Sequence, residues 1–279
     1  MENPVLSIVT VGMNHYKYIK DLYRSLYKEN RPLISFETVY VDNCSSDESV
    51  NHIRENYPQT VIIQNKTIKG FGENNNLGVS VSKGKYIAII NPDIVVLPKS
   101  IDVLYEYMIE NPATGILAPQ LLNPDCSIQY SVRRFITLKT FVYRLISRGK
   151  DTSKNKIVGH YLQKDIDNGK TQTVDWAIGA AMFIDREFFI HLNGFDEDYF
   201  LYLEDEDICL RSWKNGKPVI YLPDAKMIHN HIRESSKTGK KTIHHIKSLI
   251  TFFRKHGYCV HRSLLLNNYN KTDNPEMKS

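Results

Sequence analysis

Apolar residues fall in short blocks over the first hundred positions, and the period changes from block to block. Residues 6–13 form one largely apolar run, the pattern of a strand covered on both faces. Ile19, Leu22 and Leu26 then recur at helical spacing until Asn30-Arg31-Pro32 stops the repeat. A second strand is predicted over 38–41, followed by Ser45, Ser46 and Asp47 as N-cap candidates for a helix that runs through Ile53 and is closed by Pro58. A third strand over 61–63, a short helix over 74–82, a fourth strand over 86–90, a helix over 98–109 and a strand over 115–118 complete the alternation. Repetition of strand and helix in this order implies a parallel sheet with helices on both faces, an α/β fold.

Beyond residue 120 the rhythm is lost. Asn123-Pro124-Asp125, followed by the alternating Ile128, Tyr130 and Val132, reads as a hairpin turn rather than a ligand site. Residues 149–156 are polar and basic and predict a mobile loop. Residues 176–184 predict one buried strand, 186–192 a short helix, and Glu204-Asp205-Glu206-Asp207 opens a helix that reaches Trp213 and ends at Asn215-Gly216. Residues 219–222 are the last predicted strand. From Arg233 to Arg262 eight lysines and arginines face a single acid, Glu234, while Ile246, Leu249, Ile250 and Phe253 mark one helical face. The last dozen residues are polar and are expected to be disordered. This divides the chain into a domain over 1–232 and a basic helical extension over 233–279.

Composition narrows the class. The chain has 279 residues, 42% hydrophobic and 24% charged, which suits one large globular domain or two small ones. No segment approaches the roughly 18 unbroken apolar residues of a membrane-spanning helix, and the N-terminus lacks the basic lead-in of a secretory signal. Cys44, Cys126, Cys209 and Cys259 are widely spaced and form no CxxC pair, so a zinc or disulfide framework is not expected and a reducing cytoplasm fits. The net charge of +5 gathers in the C-terminal region, and no nucleic-acid partner is expected.

The candidate chemistry lies at strand ends. Asp42 and Asn43 close the second predicted strand, and Asn91-Pro92-Asp93 closes the fourth, on the rim where open α/β sheets bind ligands. Asp42 can accept from a pyrimidine N–H or a ribose hydroxyl, or can cap the next helix; Asn14 lies on the same rim. Asp93 suits a divalent magnesium or manganese ion with room left for phosphate oxygens, or a plain turn between strands. Glu204 and Asp205 head a helix whose dipole favours their ionised form, and such a carboxylate beside an acceptor hydroxyl can act as general base. His229 and His231 follow the last strand and could face a metal or phosphate. The stretch from Gly70 to Gly78 has neither the lysine of a P-loop nor the position of a dinucleotide fingerprint, which disfavours a dehydrogenase. Two strand-end carboxylates and a distant acidic pair suggest a nucleotide, a metal and a base.

In order, SIVTVGMN (7–14), VDNCSSDES (41–49), GFGENNNLG, INPD, Arg133-Arg134-Phe135, WAIGAAMFIDREFF (176–189), NGFDEDYFLYLEDEDICLR (193–211), YLPDAKMIH ending at His229, and FFRKHG (252–257) resemble the family 2 glycosyltransferases of the GT-A fold, most closely the rhamnosyltransferase-like branch. The resemblance covers roughly residues 5 to 257 and implies a GT-A fold with a nucleotide-binding, mostly parallel sheet and a helical C-terminal extension. It implies that Thr10, Val11, Asn14, Asp42 and Asn75 contact the nucleotide. Asn91 and Asp93 take the place of the usual Asp-x-Asp, with Asp93 and His229 toward a divalent metal. Trp176, Gly179, Asp196 and Glu204 would line the sugar or acceptor pocket, and Asp205 would be the catalytic base of an inverting transfer. Gly12-Met13 and Ile136 depart from the family's usual residues. The implied substrates are a dTDP- or UDP-linked sugar donor, with dTDP-L-rhamnose foremost, and a glycan or lipid-linked oligosaccharide acceptor in surface polysaccharide assembly. A UDP-hexose or UDP-N-acetylhexosamine donor, and a non-catalytic nucleotide-sugar-binding protein, are the alternatives. The basic segment over 233–262 is read as a peripheral contact with the inner face of the plasma membrane, the other readings being a helix packed on the domain or on a second subunit of a homodimer.

Overall fold

The computed structural model describes residues 3–146, 155–230 and 239–258. In chain order the elements are β1 (Leu6–Gly12), α1 (Tyr16–Arg24) with a π-helical continuation (Ser25–Glu29), β2 (Phe36–Asp42), α2 (Ser49–Asn56), β3 (Val61–Gln64), α3 (Phe71–Val81), β4 (Tyr86–Ile90) and β5 (Ile94–Val96). Then come α4 (Ser100–Glu110), β6 (Ile116–Leu122), β7 (Val132–Arg133), α5 (Leu138–Ile146), α6 (Lys156–Tyr161), β8 (Gln172–Val174), β9 (Trp176–Ala177) and β10 (Ala181–Asp185). The chain continues with α7 (Arg186–His191), α8 (Glu204–Lys214), β11 (Val219–His229) and α9 (Gly239–His256).

The main sheet runs β3-β2-β1-β4-β10-β6-β11-β5, with β8 also paired to β11. Strands β3, β2, β1 and β4 are mutually parallel, as the alternation of the first ninety residues predicts. The chain winds outward from β1 to β3 and returns to the other side of β1 with β4. The reversal opens a crevice at the carboxyl ends of β1, β2 and β4. Beyond β4 the order mixes: β10 runs antiparallel to β4 and β6, whereas β6 and β11 are parallel. Alternate residues feed two cores, one on each face; Val9, Val39 and Ile89 lie in one and Leu6, Ile8, Tyr40 and Ile90 in the other.

Three elements differ from their predicted form. Residues 176–184 are two strands: Trp176 and Ala177 leave the main sheet to pair with Arg133 and Val132, and Ala181–Asp185 crosses to β4 and β6. The break falls at Gly179, where an added Cβ would lie 3.2 Å from the Phe71 ring and 3.4 Å from Asp205 Cβ. Helix α3 begins at Phe71, not Asn74; Gly70 and Gly72 hide the start because both face backbone or side chain at close range, an added Cβ meeting the Phe200 carbonyl oxygen at 2.9 Å and Phe195 Cβ at 2.8 Å. Strand β11 passes Pro223 and continues to His229, with its register irregular between Leu222 and Lys226, the kind of place a strand tolerates proline.

The C-terminal helix corrects one expected face. Leu249, Phe252 and Phe253 of α9 are buried in the core beside Trp213 of α8, but Ile246 and Ile250 are 42% and 63% exposed. Apolar residues ring this helix, so spacing alone does not say which stripe turns inward. Arg233, Lys237, Arg262, His231, residues 149–154 of the predicted loop and the final dozen residues lie outside the described residues.

Candidate active site

Each strand of the parallel half delivers polar groups to the rim. Asp42, at the end of β2, is buried, and both its carboxylate oxygens accept from the Ser45 amide at 3.3 and 3.2 Å. Just past β1, Asn14 adopts φ +57° and its Oδ1 accepts from the Ser46 amide at 2.8 Å, so one loop, 43–47, is gripped from both strands. Val11 is partly exposed at the rim, whereas Thr10 is 2% exposed and stays inside the sheet opposite Tyr40. Asn75 is buried on α3, where its amide donates to the Phe71 carbonyl at 2.9 Å.

The β4–β5 turn carries the next group. The Asn91 amide donates to the Ala180 carbonyl at 2.9 Å, and Asp93 Oδ2 lies 3.4 Å from His229 Nε2 at the end of β11. Strand pairing sets this meeting, since β11 lies antiparallel to β5 with His229 opposite Ile94. Burial opposes ionisation of Asp93, but the imidazole outweighs it and holds the carboxyl below its ordinary pKa; His15 adds a smaller favourable field. On its far side the His229 Nδ1 meets Gln129 Oε1 at 2.7 Å, and Gln129 Nε2 donates to Asn123 Oδ1 at 3.1 Å. The Asn123-Pro124-Asp125 turn thus anchors Gln129, the residue whose side chain meets His229.

Two cis ligands about 2.1 Å from one ion sit roughly 3 Å apart, so the Asp93–His229 pair fits a shared divalent cation. Among the described residues no group of three or more His, Cys, Asp and Glu converges. An ion held there would complete its shell with diphosphate oxygens and water, as magnesium and manganese commonly do.

The acidic cluster supplies the facing wall. Tyr202 and Leu203 stand at φ +73° and +70°, a strained entry that aims the first turn of α8. Asp205 Oδ2 accepts from the Gly179 amide and Oδ1 from the Glu206 amide, both at 2.9 Å. Burial raises its pKa against the opposing pull of those amides and of the Arg133 guanidinium. Because Gly179 adjoins Ala180, which bonds the Asn91 turn, Asp205 is tied to the same rim as Asp93. Glu204 is 4% exposed, its Oε2 has no hydrogen-bond partner among the described residues, and burial lifts its pKa well above the ordinary value.

Trp176 stands beside this wall, its Nε1 donating to the Arg134 carbonyl at 2.8 Å. The Arg133 guanidinium lies 5.3 Å from the Trp176 ring and 5.8 Å from that of Tyr161. The Asp196 carboxylate binds Lys255 of α9, which also reaches Asp198 at 2.7 Å. The sequence singles out Arg133 only as part of a motif, and Gln129 not at all. Neither the strand pairing that stacks Arg133 on Trp176 nor the side-chain relay through Gln129 leaves a pattern along the chain.

Residues 7–192 match the sequence model of the glycosyl transferase family 2. Rhamnosyltransferase WbbL of Escherichia coli (strain K12) is 30% identical over 259 residues, covering 89% of this chain and 92% of that protein. The N-acetylglucosaminyl-diphospho-decaprenol L-rhamnosyltransferase of Mycobacterium tuberculosis is 26% identical over 253 residues, covering 87% and 80%. Among solved structures, GalNAc-T7 with UDP, GalNAc and Mn2+ superposes with a TM-score of 0.65 at 14% identity; the match covers 96% of this chain and 55% of that one, a likeness of fold.

Proposed function

The chain belongs to glycosyl transferase family 2, and from that premise we propose that it moves L-rhamnose from dTDP-rhamnose to a hydroxyl of a lipid-linked glycan, with inversion, in surface polysaccharide assembly. The names of the two rhamnosyltransferase relatives support the sugar, and that of the mycobacterial relative supports a polyprenyl-diphosphate-linked acceptor. The single observation that carries the chemistry is Asp205: a carboxylate held by two backbone amides, at the rim that also carries the Asp93–His229 pair.

In this reading Asp42 receives the pyrimidine and Asp93 with His229 holds the divalent ion. When bound, that ion neutralises charge on the departing diphosphate. Asp205 accepts the proton of the acceptor hydroxyl, the hydroxyl oxygen bonds to the anomeric carbon, and the bond from that carbon to the nucleoside diphosphate breaks, its electron pair staying on the phosphate oxygen. Burial raises the pKa of Asp205 from the ordinary carboxylate range, which makes it a better proton acceptor while the amides keep it aimed. Arg133 keeps a positive charge beside it.

The test is Asp205→Asn, which keeps shape and loses basicity. Transfer is expected to fall by roughly 10²–10⁴-fold with nucleotide affinity preserved. Full activity in that variant removes Asp205 from the base role. A thermal-shift panel of dTDP- and UDP-linked sugars with manganese separates the rhamnosyl donor from UDP-hexose and UDP-N-acetylhexosamine. Donor binding without any transfer or nucleotide release would favour the non-catalytic alternative.

A further inference from the structure

Two helices present apolar stripes that the fold leaves uncovered among the described residues. On α9, Ile243, Ile246 and Ile250 are 53%, 42% and 63% exposed, spaced as one face of a helix. On α5, Leu138 and Val142 are 50% and 46% exposed, one turn apart. The helices meet: the Phe141 ring of α5 packs edge-on against His245 of α9 with centroids 6.1 Å apart, and the stripes flank that contact. His245 also packs on Tyr202 at 5.1 Å, two residues before Glu204, so this face adjoins the head of α8.

The charge carried by the two helices themselves has one sign, and the neighbouring Asp196 and Asp198 are paired with Lys255 of α9. Neither α5 nor α9 contains an aspartate or glutamate. Lys139, Lys247 and Arg254 are exposed on them. A protein partner of mixed surface charge would not call for two acid-free helices, whereas an anionic bilayer matches both the apolar stripe and the cations beside it. No helix among the described residues is long and apolar enough to cross a membrane.

We propose that the α5–α9 face, with Ile243, Ile246, Ile250, Leu138 and Val142 as its apolar stripe and Lys139, Lys247 and Arg254 beside it, docks on a bilayer of anionic lipid. Docking in this orientation would present the head of α8 to an acceptor held in the membrane, a purpose that rests on the transferase reading; the binding itself does not. The face differs from the one spacing suggests, since Leu249 and Phe253 point into the core.

The full-length chain should co-sediment with vesicles of phosphatidylcholine and phosphatidylglycerol, release at high salt, and ignore pure phosphatidylcholine. Ile246→Asp with Ile250→Asp should lower vesicle affinity at least tenfold, given the apolar area removed. Lys247→Glu with Arg254→Glu should lower it by roughly fivefold per charge at low salt and not touch the core. Circular dichroism and Tm check that each variant folds, and the charge pair stands in should the isoleucine pair fail to. Absent binding of the wild type, or binding indifferent to both pairs, overturns the proposal. So does a dimer, seen by light scattering, that the isoleucine pair converts to monomers, because the face then belongs to a second copy. The manganese-dependent thermal shift with UDP or dTDP, run alongside, reports on the transferase reading alone. Vesicle failure with that shift intact therefore counts against the docking face only.

Discussion

At the residue scale, two positions show how neighbours decide what a motif residue is. Gly12 stands where the family's first motif commonly carries threonine. The structure gives the reason: a Cβ there would fall 2.3 Å from the Tyr40 hydroxyl and 2.9 Å from its ring, and Tyr40 is fully buried. Gly12→Ala is expected to cost about 1–3 kcal/mol of stability through overpacking. Tyr40→Phe in the same chain should return part of that, since it removes the nearest atom; equal Tm values for the single and double variants would contradict the account. The second position is Gln129. Its side-chain carbonyl oxygen accepts a hydrogen bond from His229 Nδ1, which leaves Nε2 on the side of Asp93. Gln129→Leu should therefore weaken manganese binding by roughly 10–100-fold, read directly by electron paramagnetic resonance of the free ion, with the fold intact. Unchanged manganese affinity would show that His229 needs no such partner.

At the element scale, α8 explains why four consecutive acids survive in one turn. They face four environments: Glu204 is buried with one oxygen lacking a partner among the described residues, Asp205 is held by amides, Glu206 lies wholly inside, and Asp207 pairs with Arg211 and His256. Glu206 Oε1 accepts the Ile136 amide at 2.5 Å, which pins the segment after Arg133-Arg134-Phe135 to the helix. Burial raises its pKa well above the usual carboxylate value. A raised folded-state pKa means that its stabilising contribution is complete below the unfolded pKa and is lost as pH rises through the folded one. Glu206→Gln mimics the protonated form, so the variant should gain Tm relative to the wild type as pH rises from 5 to 9. A constant gap across that range would refute a protonated Glu206. The alternation of strands and helices, the acidic helix and the rim carboxylates were legible in the chain because each follows from period, caps or turn residues. The split at Gly179, the early start of α3 and the run of β11 past Pro223 were not, because glycine and proline signal an end in most contexts. Here they mark a close approach or an irregular register that only tertiary contact reveals. The same holds for the ion pair of Asp196 with Lys255 of α9, which no spacing along the chain announces.

At the scale of the molecule, the C-terminal helix packs into the core beside α8. Leu249, Phe252 and Phe253 fill the core next to Trp213, Lys255 clamps Asp196 and Asp198, and His256 inserts its Nε2 2.6 Å from the fully buried Asp207. Asp207 sits in the same first turn of α8 as Asp205, the proposed base, so a change in how Asp207 is held is expected to reach Asp205. Burial opposes the charge on Asp207, and His256 with Arg211 reverses that and holds its pKa below the ordinary value. That stabilisation is present above the unfolded pKa of an aspartate and fades as pH falls through the folded one. His256→Leu leaves the buried carboxylate with Arg211 and the distant Tyr199 hydroxyl, at 3.5 Å, as its remaining named partners. A loss of about 2–4 kcal/mol is expected, less than removal of Arg211 as well would cause. Because α8 carries Asp205, the variant should also lose transfer rate in excess of its unfolded fraction when assayed well below its Tm, with KM for the donor nearly unchanged. His256→Gln, which can still donate to Asp207, should recover most of both. If His256→Leu keeps the wild-type rate per folded molecule, the helix merely seals the core and has no hold on Asp205.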